Sequence, residues 1–122
     1  MLSRIRIVLV GTLYSGNIGS VCRAMANFGL SDLVLVAPAC VDGWDEAAKL
    51  AVHAAPILEG RRTVATFDEA VADCVAVVGT TARLGLYRQH VRTPREAAPG
   101  LLALAAGGPV ALVFGREDKG LL

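Results

Sequence analysis

Four short, almost unbroken apolar runs limit what this chain can fold into. Residues 4–10, 32–37, 75–80 and 110–114 are dominated by Val, Ile and Leu, branched side chains that suit a pleated surface. Each is strand-length, and none alternates apolar with polar as a strand with one wet face would. Runs of that kind belong to a sheet covered on both faces. The segments 15–28, 44–58, 68–73 and 93–106 repeat apolar residues at helical spacing, and 61–66 reads as a short strand or extended link. Strands alternating with helices predict an α/β fold, a mainly parallel sheet with helices on both faces. At 122 residues the chain makes one domain with a real core, and not two. An apolar content of 54% with only 5% aromatic residues supplies many small aliphatic side chains for both faces of such a sheet.

The first strand leads into Ser15-Gly16-Asn17-Ile18-Gly19-Ser20-Val21-Cys22-Arg23-Ala24-Met25-Ala26-Asn27-Phe28-Gly29, a loop that turns into a helix. Gly16 and Gly19 permit a tight turn and close approach by another backbone or a ligand. Asn17 is placed as the N-cap, and Gly29 as the left-handed residue that stops the helix. At about 100° per residue, Ile18, Val21, Ala24, Met25 and Phe28 fall on a side that can face a sheet. Gly19, Ser20, Arg23 and Asn27 fall opposite. Arg23 therefore leaves the core beside an amide and a hydroxyl. Its guanidinium stays charged and offers forked donors suited to phosphate; the same pattern also describes an ordinary solvated helix arginine.

Asn17-x-Gly19-x-x-x-Arg23-Ala24, followed by Phe28-Gly29, resembles the first motif of the SpoU/TrmH family of RNA 2′-O-ribose methyltransferases, part of the SPOUT class. Two later segments agree in order and spacing: Val77-Val78-Gly79-Thr80-Thr81-Ala82-Arg83, and Val110-Ala111-Leu112-Val113-Phe114-Gly115-Arg116-Glu117-Asp118-Lys119-Gly120-Leu121. The wording is most similar to the TrmJ branch, which methylates a ribose in the tRNA anticodon loop. The resemblance spans nearly the whole chain. It implies a SPOUT-like trefoil-knot fold, an S-adenosylmethionine-dependent ribose 2′-O-methyltransferase, an RNA substrate (tRNA within that branch), a homodimer and a cytoplasmic location. In relatives the pattern continues to a third motif containing Ser-Leu-Asn and a C-terminal helix, which complete the knot and the cofactor pocket. The resemblance therefore implies a single SPOUT-type domain over residues 1–122, truncated at its C-terminus.

Ligands of open α/β sheets lie at the carboxyl ends of the strands, and three such ends carry the three segments. By resemblance, Thr80, Thr81, Ala82 and Gly115 would line the S-adenosylmethionine pocket. Arg23 would bind the target phosphate and ribose hydroxyl, Asn17 would hold the loop, and Glu117 matches the motif glutamate. Without the resemblance, Gly79 and Gly115 read equally as strand-ending turns, and Glu117 as a surface partner of Arg116 or Lys119. Arg83, Arg88, His90, Arg92 and Arg95 cluster around Tyr87. Cations with one stacking ring suit an RNA backbone and an unpaired base; a solvated basic loop is the plainer reading. Arg83, Arg88 and Arg92, with Ser20 on the opening helix, are the candidate RNA contacts. The alternative function is a catalytically inactive RNA- or nucleotide-binding module with the same half-fold.

A net charge of +1 gives no global basic field, so RNA contact must come from local clusters. Cys22, Cys40 and Cys74 are odd in number and lack C-x-x-C spacing. They read as buried thiols in a reducing compartment, not as disulfides or metal ligands. No metal-spaced His/Cys set, catalytic triad, paired carboxylates, G-x-G-x-x-G or Walker loop stands out. His53 reads as a structural histidine, with nothing chemical near it in sequence. Arg4 and Arg6 interrupt the first apolar run, against a signal peptide. Residues 97–115 carry no charge, but Pro99-Gly100 and Gly107-Gly108-Pro109 divide them, so a helix and a strand of a soluble protein are expected in place of a membrane span.

Overall fold

Strands β1 (Ile5–Val10), β2 (Asp32–Val36), β3 (Arg62–Val64), β4 (Ala76–Gly79) and β5 (Val110–Phe114) form one sheet in the order β3-β2-β1-β5-β4. Every neighbouring pair is parallel. The helices are α1 (Ser15–Asn27), α2 (Asp45–Ala51), α3 (Ala55–Glu59), α4 (Phe67–Val71) and α5 (Pro94–Leu104). This computed structural model describes residues 2–80, 94–118 and 121. The parallel α/β architecture expected from the alternating runs is the one observed.

The pleat explains why the strands carry so few polar positions. Ile5, Ile7, Leu9, Leu33, Leu35 and Val110 point to a face covered by α1, α2 and α3, with Leu101 of α5 and Ala105. Val8, Val34, Val36, Ala111 and Val113 point to the other, where Ala70 and Val71 of α4 and Leu121 pack on them. Helices on both faces leave the strands no wet side. The register Ile7↔Leu33 and Ile7↔Leu112 puts like with like across the three central strands. Segment 75–80 departs from the buried strand expected, with Val75 51% and Val77 44% exposed. The reason is position, since β4 ends the strand order and pairs only on its β5 side among the described residues.

Residues 44–58 fold as three pieces in place of one helix. Helix α2 stops at Ala51, a 3-10 turn spans Val52–Ala54, and α3 begins with Pro56 in its first turn. A proline there cannot donate and crowds the turn before it, so one continuous helix is barred. Val52 absorbs the break at φ 42° and ψ −108°, a costly conformation for a β-branched residue.

Helix α1 does end as expected. Leu30 N donates to Met25 O at 2.8 Å and Gly29 N to Ala26 O at 3.2 Å, with Gly29 at φ +75°; this is the Schellman arrangement that a glycine permits. Its buried arc differs from the expected one. Ser15, Ile18, Gly19, Cys22 and Met25 are buried, while Ala24 is exposed and Phe28 is 72% exposed. The arc is rotated by about a quarter of a turn. The cause is α2, which lies so close that a Cβ on Gly19 would stand 2.4 Å from Ala47 O. Gly19 is therefore a helix-packing residue and not part of the polar face.

Two arginines of the first strand region are structural. Arg4 Nη1 donates to Ala105 O at 3.1 Å and Ala106 O at 2.8 Å, satisfying carbonyls just past α5. Arg6 is 3% exposed and donates to Asp32 at 2.8 Å, to Asp73 at 2.6 Å and 3.0 Å, and to Ala70 O at 2.8 Å. A buried guanidinium needs this many acceptors to offset its lost hydration. The network joins α4 and its following turn to β1 and β2.

Candidate active site at the β1–β5 crevice

From β1 the chain builds outward through β2 to β3, then crosses to the far edge and returns, so that β5 lies beside β1. Loops leaving β1 and β5 consequently diverge at the carboxyl ends of the two strands, where open α/β sheets hold their ligands. A groove of about 350 Å³ begins there and runs along α1 over the sheet as far as Ile7 and Leu30. Thr12, Asn17, Gly115 and Glu117 form its polar end, and Val21, Ala24, Met25 and Phe28 of α1 its apolar wall, with Leu9 and Phe114 from the strands. The sequence motif at 11–19 and residues 115–117 of the later one thus meet at one crevice.

Glu117 is what joins them. Its carboxylate accepts from Leu13 N at 3.0 Å, from Tyr14 N at 3.0 Å and from the Asn17 side-chain amide at 2.7 Å. Helix α1 has no acidic residue in its own first turn and no side-chain cap. The amides at its start are satisfied by carboxylates from elsewhere: Glu117, and Asp42, which accepts from Ser15 N at 3.0 Å. Negative charge at that end also suits the helix dipole. Burial acts to raise the Glu117 pKa, but the hydrogen bonds from Leu13, Asn17 and Tyr14 outweigh it and hold the carboxyl below its ordinary range. Asn17 is therefore not the N-cap; Tyr14 holds that position, and the Asn17 amide is a donor to Glu117. Arg116 pairs with Asp118 at 2.6 Å and 2.8 Å and leaves Glu117 to the loop.

Arg23 does not share that crevice. It is exposed on α1 and, with Ala26 and Asn27, lines a separate cleft of about 150 Å³ closed by Ala51, Val52, His53 and Ala54. Ser20 is exposed on the same helix. Arg4, Arg6, Arg61, Arg62 and Arg116 are each committed to an acceptor of the chain. Among the described residues Arg23 has none. His53, read from sequence as isolated, is placed beside Arg23 by the break after α2. No local signal could have shown that pairing, because it depends on how α1 and α2 pack.

Thr80 closes the β4–β5 end. Its amide and its hydroxyl both donate to Val113 O, at 2.9 Å and 3.0 Å, leaving the hydroxyl oxygen able to accept. Thr81, Ala82, Arg83, Arg88 and Arg92 lie outside the described residues. Burial pushes all three thiols, Cys22, Cys40 and Cys74, above their ordinary range. None is a low-pKa nucleophile, and among the described residues no group of His, Cys, Asp and Glu is arranged to hold a metal ion.

Fold and crevice together define a doubly wound parallel α/β domain with a groove at the strand-order reversal. The chain belongs to the SpoU rRNA methylase family, whose model matches residues 4–122. It is 49% identical over 122 residues to the tRNA (cytidine/uridine/adenosine-2′-O-)-methyltransferase TrmJ of Pseudomonas aeruginosa, covering 99% of this chain and 47% of that protein. The structure of a probable methylase family protein from Haemophilus influenzae superposes with a TM-score of 0.90 at 45% identity, covering 100% of this chain and 51% of the other. TrmJ from Z. mobilis superposes with a TM-score of 0.83 at 42% identity, covering 96% and 51%. The chain thus spans about half the length of the relatives it matches. No helix among the described residues is long and apolar enough to cross a membrane.

Proposed function

We propose that this chain forms the RNA-facing half, and part of the cofactor-facing half, of an S-adenosylmethionine-dependent tRNA ribose 2′-O-methyltransferase. One observation carries the reading: Arg23 of the family's first motif stands exposed and uncommitted, while the same motif's Asn17 is tied to the third segment through Glu117. A guanidinium held free of internal partners is available to a phosphate.

S-adenosylmethionine, when bound, supplies an electrophilic methyl group. The residues present suit it: Thr80, on Val113 O of the adjacent strand, and Gly115, at the groove, put a hydroxyl and backbone polar groups at the ends of β4 and β5. Thr80 and Gly115, with Thr81 and Ala82, would hold it. Arg23 would orient the target phosphate and stabilise the ribose 2′-oxygen as its proton passes to solvent water. It acts there as a donor and not as the base. Asn17 and Glu117 act one step back, by fixing the loop from which α1 starts.

Arg23 and the β1–β5 crevice lie on different clefts of one chain. A homodimer in which one copy's Arg23 reaches the partner's cofactor end accounts for that separation. Solubility and a cytoplasmic site of action go with a tRNA substrate. The deciding experiment is calorimetry of the protein with S-adenosylmethionine, followed by mass spectrometry of nucleosides from tRNA incubated with both. Cofactor binding and a 2′-O-methylated nucleoside are expected. Arg23→Ala should abolish transfer and keep cofactor affinity; absence of cofactor binding in the wild type overturns the enzyme reading.

A further inference from the structure

The cleft beside α1 brings together three polar side chains that the sequence keeps apart. Arg23, Asn27 and His53 line its wall, all three are exposed, and none has a hydrogen-bond partner among the described residues. The floor is apolar and buried, from Ala51 and Ala54. His53 reaches this place only because α2 breaks at Val52, whose positive φ is a strained conformation for valine. A straight helix through 44–58 would have carried residue 53 elsewhere on its surface.

From this juxtaposition we infer that Arg23, Asn27 and His53 form one seat for an RNA phosphodiester, with His53 as a positioning residue for the bound strand. The inference rests on the RNA-modifying reading above. The donors suit an oxyanion. Arg23 brings a permanent charge and forked donors, while Asn27 and His53 each add an N–H donor. No carboxylate lines the cleft among the described residues; Glu117 and Asp42 sit at the start of α1, on Leu13, Tyr14 and Ser15. A cleft of about 150 Å³ is the size of a phosphate with part of a sugar and too small for a base with its ribose and phosphate.

The test is fluorescence anisotropy with an unmodified, labelled tRNA transcript at several salt concentrations, using the full chain and the variants Arg23→Ala, His53→Ala, His53→Gln and Asn27→Ala. His53→Ala should weaken binding about fivefold, the size of one ordinary hydrogen bond, and His53→Gln, which keeps an N–H donor, should recover most of it. Arg23→Ala should cost about tenfold or more and lower the salt slope by about 0.7. Because both residues would hold one phosphate, the double variant should lose less than the product of the single losses. Unchanged melting temperatures keep these effects separate from folding. If His53→Ala and Asn27→Ala bind as tightly as the wild type while Arg23→Ala does not, the seat is wrong and the RNA-modifying reading stands. If the wild type does not bind tRNA at all, both fall.

Discussion

The Asn17 side-chain amide donates to Glu117 Oε2 at 2.7 Å across 100 residues of sequence. With the Leu13 and Tyr14 amides on the same carboxylate, that contact ties the loop after β5 to the start of α1, and so couples the first and last motif segments. Glu117→Gln keeps the shape and removes the charge that the Leu13 and Tyr14 amides use. We expect a loss of about 1 kcal/mol in urea unfolding, small because the group is exposed. The folded carboxyl lies below its ordinary 4.5, so its contribution is present above that pH and is lost as pH falls through the folded value. The gap between wild type and variant should therefore close on acidification, and a gap that widens below pH about 4 would contradict the assignment.

Glycine to alanine should have opposite signs in two helices. At Gly19 the new methyl would meet Ala47 O, a backbone atom, at 2.4 Å, so the helices must separate; a cost of about 2–3 kcal/mol is expected from such overpacking. At Gly100 in α5 a Cβ meets nothing within 4 Å, and alanine should stabilise by about 0.5–1 kcal/mol through helix propensity. Parallel thermal melts decide both.

Arg6→Met and Asp73→Asn probe one network from its two ends. Removing the buried cation leaves Asp32 without its buried partner, and a loss of about 3 kcal/mol is expected. Asp73 has a side chain 62% exposed, so its replacement should cost under about 1 kcal/mol. Arg6 holds the Asp73 carboxyl down at about 2, against an ordinary 3.8. Stability from this group is complete above 3.8 and disappears as pH drops through about 2. Equal losses for the two variants at pH 7 would refute the burial argument.

Arg4→Ala removes the donors to Ala105 O and Ala106 O. Hydrogen exchange should show earlier opening at the end of α5, with a global cost of about 1 kcal/mol. No local change at residues 101–106 would count against the capping role.

Much of this was legible in the chain itself. The β-branched runs located the four longer strands, and β5 matched its expected limits, because a strand buried on two faces writes an unbroken apolar pattern; β4 carries the same pattern on a half-exposed edge, so its burial was not legible. Gly29 was legible for a similar reason, since a left-handed position admits few residues. Burial of Gly19 was not, because it depends on α2 packing against α1, and helix-wheel reasoning knows only one neighbour. The same blindness hid His53, and it made Asn17 look like a cap when the capping carboxylates come from Asp42 and Glu117. Arg23, Asn17 and Glu117 were marked by the motif resemblance. That Asn17 and Glu117 share one cleft and Arg23 lines another came only from the fold.

The close seating of α1 on α2 has a mechanical consequence. Ser15 Oγ accepts from Ala47 N at 3.2 Å while Asp42 accepts from Ser15 N, and Gly19 rests on the Ala47 carbonyl. Main-chain atoms take part in every one of these contacts, so the distance between the two helices is set by peptide groups and tolerates no side-chain drift. Arg23 and His53 sit on opposite sides of that seam, like the jaws of a gauge clamped at one width. Surface substitutions on α1 or in the turn Val52–Ala54 can change what the gauge grips, but its span changes only if the seam itself opens.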